Sequence, residues 1–183
     1  MRILPALALC AVVLTSSTLI AAAPGEEVRI RPQDARLTSL LRQGAARSTT
    51  FKALVDRIEA SNVIVYIALN PLMKSNLSGM LTWMTRAGNY RYLRASISVD
   101  LTADQTIATL AHELQHAVEV IDDESVTDET SLVALYQRIG RQSGTSAPMR
   151  WETTAAQEAG IKVRRELVAA PTMVARNGNS TRS

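Results

Sequence analysis

Apolar positions recur at helical spacing in five stretches of the chain and crowd together or alternate in three others. From Asp34, Leu37, Leu40 and Leu41 mark one helical face, and Gly44 ends the pattern. Ser48 or Thr49 can cap a second helix with Phe51, Leu54, Val55 and Ile58 along one side. Val63 to Leu69 is β-branched and nearly all apolar, the pattern of a buried strand closed by Asn70-Pro71. Met80 to Arg86 and Tyr90 to Val99 predict two more strands, joined by a Gly88-Asn89 turn. In the later strand Leu93, Ala95, Ile97 and Val99 alternate with Tyr92, Arg94, Ser96 and Ser98, which predicts one buried and one solvated face.

Thr102-Ala103-Asp104-Gln105 then opens a helix with a capping-box pattern. Ile107, Leu110, Ala111, Leu114, Val118 and Ile121 form its apolar stripe. A further helix carries Leu132, Val133, Leu135, Tyr136 and Ile139 and stops at Gly140, and residues 141–147 read as a polar loop. Pro148 suits the first turn of a last helix, whose inner face is Ala155, Ala156, Ala159, Val163 and Leu167. Helices on both sides of about three strands make an α+β domain with a small antiparallel or mixed sheet.

Composition adds a leader. Arg2, an apolar run from Ile3 to Ile20 and Ala21-Ala22-Ala23 have the layout of a secretory signal peptide over residues 1–22. An uncleaved membrane anchor is the competing reading, because the run is just long enough to span. The expected organisation is therefore a leader at 1–22, one domain at 23–170, and a polar, basic, disordered tail at 171–183, with the chain exported to a periplasmic or extracellular compartment. After cleavage, no stable membrane association is expected. The lone cysteine, Cys10, falls in the leader, so the remainder has no thiol for a disulfide, a nucleophile or a metal site. The net charge of +3 is a small basic excess. No basic stripe with interleaved aromatics accompanies it, which argues against nucleic-acid binding.

The chemistry is concentrated in His112-Glu113-Leu114-Gln115-His116, which uses both histidines of the chain. Two histidines four apart project from one helical face about one turn apart and can reach one zinc ion. The glutamate between them can act as general base on a water activated by that metal. At about 100° per residue, the histidines lie roughly 140° and 180° from Ile107, away from the apolar stripe. That geometry does not suit core histidines, but a solvent-exposed pair would share it.

A catalytic zinc takes three protein ligands and keeps one position open. With no thiol and no third histidine, the remaining ligand must be a carboxylate. Glu152 is the expected one, placed on the inner stripe of the last helix beside Ala156 and Ala159, where a carboxylate needs a partner. Glu119 shares the histidine face but sits seven residues from His112, about 10 Å along the axis, so it suits an imidazole partner better than a ligand. The Asp122-Asp123-Glu124 and Asp128-Glu129 runs read as solvated acids, the second at a helix start.

His112-Glu113-Leu114-Gln115-His116 with the downstream Glu152-Thr153-Thr154-Ala155-Ala156 resembles the zincin metallopeptidases, and among them the gluzincins. The resemblance covers mainly residues 90–167. It implies a minimal zincin-like domain in which His112, His116 and Glu152 bind zinc and Glu113 is the catalytic base. It also implies that the strand before the motif helix, here Tyr90 to Val99, is the sheet edge that holds extended peptide substrate. Many gluzincins have an aspartate four residues after the ligand glutamate; here that position is Ala156, so the usual partner is missing or replaced. Similar enzymes often stabilise the oxyanion with a tyrosine or histidine, which makes Tyr136 a candidate, although core packing is the expected role for it. The function expected is a zinc-dependent peptidase acting on a peptide or protein. The alternative is a non-catalytic exported zinc-binding or adaptor protein that retains the site.

Overall fold

The computed structural model describes residues 28–74, 76–143 and 150–170. The leader, Pro148 and the tail from 171 lie outside the described residues. Among the described residues the chain is α+β, with five helices, a mixed four-stranded sheet and a small two-stranded one. No helix among them is long and apolar enough to cross a membrane.

The elements run β1 (Ile30–Pro32), α1 (Ala35–Arg47), α2 (Thr49–Glu59), β2 (Val63–Asn70), β3 (Gly79–Ala87), β4 (Tyr90–Ser98), α3 (Ala103–Asp122), α4 (Glu129–Ile139), β5 (Arg141–Ser143), β6 (Arg150–Glu152) and α5 (Thr154–Ala169). The large sheet has the order β1-β2-β4-β3. It exceeds the expected three strands because β1 adds to β2 in parallel. Three residues are too few to show an alternating pattern, and Pro32, without an N–H, sits at an edge where none is needed. β3 and β4 form the expected hairpin, and Gly88 takes the left-handed φ of +57° in its turn.

One expectation about the sheet is overturned. β4, the strand before the motif helix, is not an edge. It pairs in parallel with β2 on one side and antiparallel with β3 on the other, so the sheet's edges are β1 and β3, and β3 is the edge beside β4. A hairpin pattern says that two strands pair, but not which of them a third strand joins. The solvated face of β4 is also shorter than expected, since Ser96 and Ser98 are buried.

Val63, Val65 and Ile67 of β2 and Leu93, Ala95 and Ile97 of β4 face a continuous core with Leu37, Phe51, Ile58, Ile107, Leu110 and Leu114. α3 is its axis, touching β2, β3 and β4 as well as α1, α2 and α5. The capping box at Thr102 starts it as expected. Its far end is held by Arg91, a buried arginine whose Nη1 donates to the carbonyls of Val120 and Asp123 at 2.6 and 2.9 Å and whose Nη2 donates to Asn62. A helix C-terminus leaves such carbonyls without regular helical partners, and here each otherwise accepts only a long backbone bond, from Asp123 N–H at 3.4 Å and Val126 N–H at 3.3 Å.

Gly44 does not end α1. The helix continues to Arg47, and Gly44 is where it crosses α2 and α3: a Cβ there would lie 2.9 Å from both Ile107 and Phe51. Ser48 separates α1 from α2 and accepts from the Phe51 N–H, as an N-cap does. Residues 141–143 are not loop but strand, paired with β6.

Candidate metal centre

α3 presents both histidines toward the start of α5. His116 is buried, while the side chains of His112 and Glu152 keep 21% and 33% of their exposure. The rings of His112 and His116 have centroids 4.9 Å apart, edge to face. Glu152 arrives from a different element, and one ligand atom from each of His112, His116 and Glu152 lies within 4.8 Å of the other two. His112 Nε2 and Glu152 Oε2 are 3.3 Å apart. Two ligands of one tetrahedral zinc, each about 2.0–2.1 Å from the metal, stand roughly 3.3 Å apart, so this donor set and spacing fit zinc.

The position of Glu152 differs from the expected one. It does not lie on the inner stripe of the last helix. It ends β6, two residues before α5, and Thr153 between them is the N-cap. The structure starts α5 at Thr154 because the Thr153 hydroxyl accepts from the Ala156 N–H. The strand backbone, rather than helical phase, aims Glu152 at the histidines. The small residues of α5 do lie along α3: Ala156 and Ala159 are buried, and a Cβ on Gly160 would stand 3.5 Å from the Cβ of His112.

Behind His116 is Glu119, as its place on the helix suggested. Its Oε2 is 2.8 Å from His116 Nδ1. Its Oε1 accepts from the Thr153 hydroxyl at 2.5 Å. All three side chains are buried. Thr153 thus caps α5, positions Glu119 and adjoins Glu152 in sequence. A threonine before an apolar helical run was the signal for it.

Glu113 is buried beside the cluster. Burial raises its carboxyl above the ordinary range; the two histidines and a hydrogen bond from the Leu81 backbone oppose that without cancelling it. For His112, burial disfavours the charged ring, but the contact with Glu152, helped by Glu113, outweighs it and raises the pKa. Gly79, at the start of β3, was not singled out by any sequence pattern. A Cβ there would lie 2.5 Å from Glu113 Oε1 and 2.7 Å from Thr109 Cγ2, so the glycine makes room for the carboxylate.

Tyr136 packs its ring edge-on to His116, with centroids 5.2 Å apart, and its hydroxyl donates weakly to the His116 carbonyl at 3.4 Å. Burial holds that hydroxyl well above its ordinary pKa, so it stays protonated. The acidic runs have structural tasks. Asp128 caps α4, Asp122 pairs with Arg57 at 2.6 Å, and Asp123 pairs with Arg138.

Two arms of one cleft meet at the cluster. His112, Glu113 and Glu152 line both. One arm, of about 350 Å³, is walled by Leu81, Trp83, Leu132, Tyr136 and Trp151. The other, of about 730 Å³, runs between residues 76–79 and α5. Compared with known proteins, the chain matches no family model, no curated protein and no solved structure.

Proposed function

We propose that the chain is an exported zinc-dependent metallopeptidase with a minimal zincin-like site. The observation that carries this reading is the convergence of His112 and His116 from α3 with Glu152 from β6, at spacings that suit one zinc. His112 Nε2, His116 Nε2 and a Glu152 carboxylate oxygen would hold the metal. Zinc, when bound, supplies Lewis acidity, making a water nucleophilic near neutral pH and polarising a carbonyl.

The chain's own residues do the rest. The Glu113 carboxylate takes the proton of the attacking water and delivers it to the departing amine nitrogen. Burial raises its pKa, which favours holding the proton between the two transfers. A buried carboxylate that forms no ion pair with Lys or Arg among the described residues is costly, which favours a catalytic over a structural role. Glu119 holds the His116 ring in the tautomer that leaves Nε2 free to ligate. The open edge of β3 beside the cleft suits an extended peptide chain, which could add to the sheet there.

The test is metal content by mass spectrometry beside peptide hydrolysis. One zinc per chain is expected, lost in His116→Ala and Glu152→Ala. Glu113→Gln should keep zinc and lose turnover. Zinc retained by Glu152→Ala would move the third ligand elsewhere. Full activity in Glu113→Gln would end the mechanism, and zinc uptake without any hydrolysis would favour a zinc-binding adaptor.

A further inference from the structure

The two arms of the cleft differ in polarity, and the difference is laid out along fixed elements. The arm along α5 is faced by Gln157, Gly160, Ile161 and Arg164, which recur at i, i+3, i+4 and i+7 on one side of the helix, with Arg165 beside them. Arg164 and Arg165 are exposed, and neither has a hydrogen-bond or ion-pair partner among the described residues. Apart from Glu113 and Glu152 of the site itself, they are the charged residues of that arm. The opposite arm is aromatic and aliphatic, and among the described residues its charged residue beyond the site is Glu129. The cleft therefore runs from an acidic-rimmed apolar end, through the metal centre, to a cationic end.

We infer that the site selects peptides with a large apolar side chain on one side of the scissile bond and a carboxylate two to three residues away on the other, held by Arg164 and Arg165. This rests on the peptidase reading and adds its substrate class. The spacing follows from the helix. Gly160 lies against His112, and Arg164 is one turn further, about 6 Å along the axis. An extended chain covers about 3.3 Å per residue, and the arginine side chain adds its own reach. A guanidinium pair suits a carboxylate because its donors match both oxygens. Glu129 repels the same group at the other end, which sets the polarity of the bound chain.

The experiment uses zinc-loaded protein and matched peptides carrying a large apolar residue and, three residues away, Asp, Asn or Lys, in both chain orders. A further pair ends three residues from the apolar position with a free carboxylate or an amide. Turnover is read on the unaltered chain, and binding by fluorescence anisotropy on Glu113→Gln. The Asp peptide should bind roughly tenfold more tightly than the Asn peptide, with a correspondingly lower KM and an unchanged kcat, for a partly exposed charged hydrogen bond. The preference should fade in high salt. Arg164→Glu with Arg165→Glu should reverse the order, so that the Lys peptide is preferred over the Asp peptide. A gain confined to the free C-terminus would identify that carboxylate as the source, and a gain from Asp the side chain. Cleavage with no preference among Asp, Asn and Lys, and none between acid and amide, overturns the inference and leaves the peptidase reading standing. An arginine-dependent binding preference without cleavage upholds the inference as a binding specificity and overturns the peptidase reading. Neither binding nor cleavage by zinc-loaded protein overturns both.

Discussion

Glu119 Oε2 stands 2.8 Å from His116 Nδ1, three residues away on the same helix, and its other oxygen is held by Thr153. One carboxylate thereby ties the motif helix to the cap of α5, next to Glu152. A free imidazole can present either nitrogen; this one is fixed with Nδ1 toward Glu119. Replacing Glu119 with Gln should keep the fold and weaken zinc affinity by about 10- to 100-fold, the usual cost of losing such a partner. Competition with a chromophoric chelator reads it. Thr153→Val should give a smaller loss in the same direction, and unchanged affinity in both variants would remove Glu119 from the site.

Gly79→Ala separates the base from the metal. The added methyl collides with Glu113 Oε1 and Thr109 rather than with a histidine. Zinc stoichiometry should stay at that of the parent, while kcat falls about 10- to 100-fold, as expected when a reacting group is displaced by the order of 1 Å. A fall in zinc content of the same size would mean that the strand, not the carboxylate, had moved.

Arg91 is predicted to matter for stability alone. Arg91→Met keeps much of the apolar stem but removes the charged donor from the Val120 and Asp123 carbonyls, leaving each a long backbone bond, from Asp123 N–H at 3.4 Å and from Val126 N–H at 3.3 Å. The cost should be about 1.5–3 kcal/mol in urea unfolding, from the lost charged hydrogen bonds. A loss under about 0.5 kcal/mol would show that water replaces the guanidinium without penalty.

Acid should loosen the junction of α5 with α2. Glu166 accepts from the hydroxyls of Ser48 and Thr50 at 2.5 and 2.7 Å and from the Thr50 N–H at 3.1 Å. Burial alone would raise its pKa, but these bonds together outweigh that and lower it. A carboxyl whose folded pKa is depressed adds stability above its unfolded pKa and loses it as pH falls through the folded value. Glu166→Gln should therefore cost roughly 1 kcal/mol at neutral pH, and the difference from the parent should vanish at the acidic end of the carboxylate range. A difference that persists unchanged into acid would mean that the carboxylate charge contributes nothing.

Much of the site could be read in advance because it is local. His112, Glu113, His116 and Glu119 share one helix, and helical geometry fixes which of them face together. The capping box at Thr102 and the Gly88-Asn89 turn are likewise short-range patterns, and both occur in the structure. Glu152 was reached by counting donors, yet its assigned place on a helix was wrong. Pro148 suggested an early helix start, whereas the Thr153 cap and the pairing of β6 with β5 put Glu152 in a strand. Gly44 and Gly79 misled or escaped notice for a common reason. A glycine in a sequence signals a stop or nothing at all, and only the neighbours that crowd its Cβ position reveal a packing role.

By itself, then, the sequence determined the five helices and the three long strands, the phase of the motif helix and the kinds of donor that a metal could find, because each depends on residues within a turn or two of one another. Tertiary structure alone decided that β1 joins the sheet, that β2 joins β4 and leaves β3 as the edge beside it, that Glu152 meets the histidines from a strand, and that one end of the cleft is cationic and the other apolar. Those relations join residues tens of positions apart, whose meeting depends on how the helices and sheet pack against a common core.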